Sequence, residues 1–191
     1  MPLPPAASRR PVTFRTVTCH GYEREDGLLD IEGHLVDTRG HETHNERSGA
    51  IPVGVPVHDM WVRLTVDDEL IIRDAMSATD ASPYMRCTEV TPNASRLVGL
   101  KISGGFKREM HARIGNAQGC THIVALIEAL ATVAVQTLVG KQRDAHPDQR
   151  FAVFAARGEG SRPPLIDSCH TYSADSPVTR VLWPAHYRGP K

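Results

Sequence analysis

One apolar run sets the terms for this chain. Residues 123–139 carry a single charged side chain, Glu128, and approach the length needed to span a bilayer. Glu128, Gln136 and many small residues interrupt the run, which fits a helix buried in a soluble protein rather than one facing lipid. Residues 120–139 therefore read as one long helix, with Gly140-Lys141 as the expected C-terminal stop. A buried helix of this length needs a broad apolar surface to lie on.

The segments before it supply strands. In residues 28–38, Leu29, Ile31, Gly33, Leu35 and Asp37 share one face, and Asp30, Glu32, His34 and Val36 share the other. Residues 57–66 alternate in the same way, with Trp61, Arg63 and Thr65 set against Met60, Val62, Leu64 and Val66. Asp67-Asp68-Glu69 is a turn, and residues 70–75, continued by 76–79, are its hairpin partner. Residues 12–19 read as an edge strand, 39–48 as a charged loop and 107–114 as a helix. Residues 93–98 are a candidate short helix, with Ser103-Gly104-Gly105 as a turn between the two. The polar stretch 144–164 is interrupted by an apolar segment, 151–156, and Trp183 and Tyr187 are expected to pack back from the irregular end. The expected fold is α+β: a curved, mostly antiparallel sheet packed against one long helix. Residues 1–11 are expected to be a disordered tail and 12–191 a single metal-binding domain, with an insertion at about 80–118.

Charge excludes some partners. Basic and acidic residues balance at 22 each, so nothing favours nucleic acid. No membrane partner is expected. The N-terminal stretch lacks the apolar core of a secretion signal, which leads to a cytoplasmic expectation. There the four cysteines stay reduced and serve as ligands, nucleophiles or core residues.

Three clusters bear on chemistry. Gly119-Cys120-Thr121-His122 opens the long helix, where unpaired N–H groups and the macrodipole favour a thiolate, the form that binds metals and attacks electrophiles. His58-Asp59 begins a strand, and Cys169-His170 follows a short apolar run. Adjacent residues on an extended chain point to opposite sides, so one member of each pair faces a common site unless the chain bends. The plain alternatives are a buried structural cysteine at 120, a turn cap at Asp59 beside a solvated His58, and a core cysteine beside a surface histidine at 169–170. Asp30, Glu32 and His34 offer hard ligands or a general base, or else a solvated outer face paired with Arg63 or Arg73.

Two resemblances follow. Gly27-Leu28-Leu29-Asp30-Ile31-Glu32-Gly33-His34-Leu35, Val57-His58-Asp59-Met60-Trp61-Val62-Arg63-Leu64-Thr65, Ala81-Ser82-Pro83-Tyr84, Gly119-Cys120-Thr121-His122 and Asp167-Ser168-Cys169-His170 look like a bacterial family known only as domain of unknown function 2889. More distantly, residues 54–79 resemble the opening hairpin of the U-type iron–sulfur cluster scaffolds and their zinc-bound sulfur-acceptor relatives. By that resemblance His58 and Asp59 stand at the first ligand pair, Cys120 at the second cysteine, and Cys169 or His170 at the third ligand. Here His58 replaces a thiolate, one residue is missing between His58 and Asp59, and the final pair is reversed. Fewer thiolates suit a single ion better than a cluster.

The expectation is thus a single zinc or iron ion held among His58, Asp59, Cys120, Cys169 and His170. Glu32, His34 or His122 would move protons on a small-molecule substrate, in a metal-dependent hydrolase or lyase. The alternatives are an iron–sulfur cluster or sulfur carrier working with a sulfur-transfer partner protein, and a metal-free thiol enzyme with Cys120 as nucleophile and His122 or His170 as base.

Overall fold

The computed structural model describes residues 3–145 and 162–189. The apolar segment 151–156 lies outside the described residues. The chain divides into two compact units, Met1–Thr137 and Leu138–Lys191.

In the first unit, residues 3–12 are exposed and carry no regular element. Strands β1 (Thr13–Glu23), β2 (Leu29–Arg39), β5 (Pro56–Val66) and β6 (Ile72–Ala81) form an antiparallel sheet in the order β1-β2-β5-β6. The alternation read in the sequence becomes the two faces of this sheet. Leu29, Ile31 and Leu35 of β2 and Met60, Val62 and Leu64 of β5 are at most 2% exposed. Trp61 on the opposite face is 42% exposed. The charged loop after β2 contains a small hairpin that alternation does not announce, β3 (Thr43–Asn45) with β4 (Gly49–Ile51). Three-residue strands are too short to carry a period.

Between β6 and the long helix lie a 3-10 segment over Met85–Leu97, helix α1 (Phe106–Ile114) and a 3-10 turn over Asn116–Gln118. Phe106, Met110 and Ile114, spaced at one helical turn, turn α1 inward. Helix α2 (Thr121–Ala145) follows, and its part in the first unit, up to Thr137, packs on the core face of the sheet. Gly33 makes this close packing possible, because a Cβ there would meet Leu126 Cδ1 at 2.8 Å and Leu130 Cδ2 at 2.9 Å. Leu126, Ile127 and Leu130 are fully buried. Each contributes about 1.5–3 kcal/mol relative to exposure. Residues 121–142 are long and apolar enough to cross a membrane by length and composition, yet Ile123, Val124, Leu126, Ile127 and Leu130 form a buried stripe, as on a core helix.

The expected stop at Gly140-Lys141 is not where α2 ends. The helix continues through Gly140 to Ala145. Glycine at a helix C-terminus acts by taking a positive φ. Gly140 is not among the residues that do so. Inside a helix a glycine costs only about 1 kcal/mol relative to alanine, too little to break it.

The second unit contains α3 (Pro177–Leu182) and short 3-10 turns over His170–Tyr172 and Pro184–His186. Ser176 caps α3 by accepting from the Thr179 N–H at 3.0 Å, with Pro177 at the first helical position. Trp183 is buried and meets Tyr172 edge to face, 5.7 Å between centroids.

Candidate metal centre

The site forms where the core face of the sheet runs out of apolar residues. Asp37 ends the apolar face of β2, and its direct cross-strand partner on β5 is His58. Both β2–β5 and β5–β6 pairing shift register here, after Asp37 and after Asp59. Such irregularities commonly redirect side chains beside functional sites. His122, in the first turn of α2, completes the group from the helix side.

Three donor atoms converge. His58 Nδ1 lies 3.0 Å from Asp37 Oδ2, and His122 Nε2 lies 3.5 Å from the same oxygen. All three donors fall within 4.8 Å of one another. The two imidazoles stack with centroids 3.8 Å apart at 29°. The side chain of Asp37 is 5% exposed, that of His58 14% and that of His122 23%.

Electrostatics keeps both imidazoles neutral and the carboxylate charged. Burial pushes His58 below its ordinary pKa, outweighing the attraction of Asp37. Burial also lowers His122, helped by the neighbouring His58 and Arg15. The rings are therefore neutral near pH 7, and the His58 Nδ1–H donates to Asp37, so His58 can offer that nitrogen to an ion only after its proton moves to Nε2. Burial works to raise Asp37, but the Arg15 hydrogen bonds and charge prevail and hold it below the usual carboxylate range. Arg15 of β1 grips it with both arms, Nε to Oδ1 and Nη2 to Oδ2, each at 2.7 Å. That fork fixes the carboxylate plane and leaves a lone pair on each oxygen.

Cys120 sits immediately before α2, its carbonyl accepting the first helical bond from the Val124 N–H. Its Sγ is 3.7 Å from His122 Nδ1 and 3.9 Å from Met60 Sδ. Gly119 lets the chain pass there, since a Cβ would fall 1.9 Å from the Ile114 carbonyl oxygen. A cleft of about 680 Å³ opens over His58, Cys120 and His122, walled by Met60, Pro83, Tyr84, Cys87 and Val90 and lined also by the charged Glu46 and Arg86. The wall residues from 83 to 90 follow β6 and run into the 3-10 segment Met85–Leu97.

The residues singled out by sequence divide accordingly. His58, Cys120 and His122 come together. Asp59 points to the other face of the sheet, where His34 Nε2 meets its Oδ1 at 2.7 Å and the His34 ring stacks on Trp61 at 3.6 Å. Glu32 is on that outer face too, paired with Arg63. Cys169 and His170 belong to the second unit, where Cys169 is an exposed free thiol and His170 begins a 3-10 turn. Asp37, Arg15 and Met60 are the participants that sequence reasoning missed. The signal for Asp37 was there: a lone carboxylate closing the otherwise apolar face of β2.

No curated protein and no solved structure matches this chain, so the likeness to iron–sulfur scaffolds rests on sequence motifs alone. A family model does match, over residues 13–136, which include the whole sheet and the Asp37, His58 and His122 cluster. The chain belongs to the family described as protein of unknown function, DUF2889.

Proposed function

We propose that Asp37, His58 and His122 bind one divalent ion, zinc or iron, and that the protein is a metalloenzyme acting on a small molecule in the adjoining cleft. The observation that carries this reading is the convergence of the carboxylate and two neutral imidazoles within 4.8 Å. Tetrahedral bonds of about 2.0–2.2 Å set ligand atoms about 3.3–3.6 Å apart, and Asp37 Oδ2 lies 3.0 Å from His58 Nδ1 and 3.5 Å from His122 Nε2. Arg15 would orient the ligating carboxylate from behind, the supporting role that outer partners play at metal sites. His58 would carry its proton on Nε2, freeing Nδ1. Three protein ligands leave a position for water or substrate, and a bound ion would polarise either one, the chemistry of a hydrolase or lyase.

Elemental analysis of protein purified without oxygen, with an absorption spectrum and acid-labile sulfide, tests this. About one zinc or iron per chain, lost in Asp37→Asn, His58→Ala and His122→Ala, supports it. Iron with matching sulfide supports instead the carrier reading, with Cys120 as a ligand and a partner protein for transfer.

A second reading has its own observation. Cys120 Sγ, His122 and Asp37 stand in line, with thiol and carboxylate on opposite ring nitrogens at 3.7 and 3.5 Å. That is the order of nucleophile, base and orienting group in a thiol enzyme. Metal-free protein whose Cys120 alkylates faster than its other cysteines, and slower in His122→Ala, supports this second reading.

A further inference from the structure

We propose that Cys120 Sγ, Met60 Sδ and His122 Nδ1 form a separate site for a soft monovalent cation of the copper(I) class. The site adjoins the Asp37 cluster and takes the other nitrogen of the shared His122 ring; a neutral imidazole has one lone pair, so its tautomer decides which of the two sites it serves.

The side chains arrive in two matched pairs. On β5, His58 and Met60 are two residues apart and face the core side together. At the start of α2, Cys120 and His122 are likewise two apart. His58 and His122 meet at the carboxylate, while Met60 and Cys120 meet beside it. Cys120 Sγ stands 3.9 Å from Met60 Sδ and 3.7 Å from His122 Nδ1. A trigonal ion with bonds of about 2.3 Å to sulfur and about 2.05 Å to nitrogen separates its donors by about 4.0 and about 3.8 Å. Cys120 Sγ already stands at nearly those separations from both of the other donors.

Ligand chemistry names the ion. A thiolate, a thioether and an imidazole form a soft set, and thioether sulfur is a poor ligand for the hard or borderline divalent ions that carboxylates prefer. Met60 is 1% exposed, yet it lines the cleft with Cys120 and His122. The cleft that reaches these atoms is lined mainly by apolar surface, which favours an ion that gives up its water readily. Binding exchanges the thiol proton for the cation, with no change of oxidation state.

The test is anaerobic titration of the full chain with copper(I) held by a chromogenic chelator, repeated with silver(I) as a redox-inert probe. One equivalent should compete with the chelator. Met60→Leu keeps all four cysteines and conserves volume, and should bind at least tenfold more weakly. Cys120→Ser should lose the tight equivalent, and Asp37→Asn should keep it. Wild-type affinity in Met60→Leu, loss in Asp37→Asn, or no competition by the wild type overturns the proposal. Selenomethionine-labelled protein gives a readout that does not depend on any variant folding. Selenium-edge absorption of the copper(I)-loaded chain should show copper at bonding distance from one selenium, and its absence overturns the site.

Discussion

The rings of His58 and His122 lie nearly face to face, 3.8 Å between centroids, one from the start of a strand and the other from the first turn of a helix. Two imidazoles so close and so poorly solvated resist protonation together, and burial lowers the pKa of each. Relative to an ordinary value of 6.5, the unfolded chain takes up protons first as pH falls. The stability supplied by the neutral pair is full above pH 6.5 and is lost as pH drops below it toward the folded values. Chelator-treated protein should therefore unfold at lower urea at pH 5.5 than at pH 7.5, and His122→Gln should shrink that difference. Equal loss in the variant would place the acid sensitivity elsewhere.

Asp37 and Arg15 form a fork in which the carboxylate is buried and the guanidinium is 44% exposed. Asp37→Asn keeps the shape but removes the charge that both arms of Arg15 address. The expected destabilisation is about 1–3 kcal/mol, toward the lower end because Arg15 can turn to water. In an Arg15→Gln/Asp37→Asn double variant the loss should be smaller than the sum of the single losses. Strict additivity would show that the two side chains do not act as a unit.

Gly119 is a steric requirement. An alanine there would place its Cβ 1.9 Å from a backbone oxygen, so the chain has to move. Gly119→Ala should cost at least about 1–3 kcal/mol and displace Cys120 from His122. Gly104→Ala, with nothing within 4 Å of its added carbon, is the control and should change the melting temperature little. Comparable shifts for both would remove the steric explanation.

The opposed orientations of His58 and Asp59 yield a contrast. Asp59→Ala frees His34, which lies against Trp61, and should shift tryptophan emission while metal content stays as in the wild type. His58→Ala should do the reverse. Metal loss in Asp59→Ala would mean that the outer face contributes to binding after all.

Much of this architecture is legible in the chain because its strands alternate cleanly. Leu29, Ile31, Gly33 and Leu35 announce a buried face, and the hairpin around Asp67 has its turn residues in place. What a single strand does not reveal is its register against another. That Asp37 sits opposite His58 is a relation between β2 and β5, set by the whole sheet, so Asp37 passes unnoticed as the end of an apolar row. Met60 is hidden for a different reason: its spacing marks it as core, and only Cys120 nearby gives its sulfur another reading. The β3–β4 hairpin lacks the length to show a period, and Gly140 has the composition of a helix stop without the backbone geometry.

The alternation of β5 also bears on how such a centre can be inherited. Strand side chains change face with every step, so inserting or deleting one residue between Pro56 and Met60 would exchange the two sides at a stroke. His58 would turn outward and Asp59 would meet Asp37, pairing two carboxylates where one now meets a neutral ring. Point substitutions can erode this region gradually, but a change of length cannot. Lineages carrying the fold should therefore vary freely in the length of the segment between β2 and β5 while keeping this short stretch of β5 free of gaps.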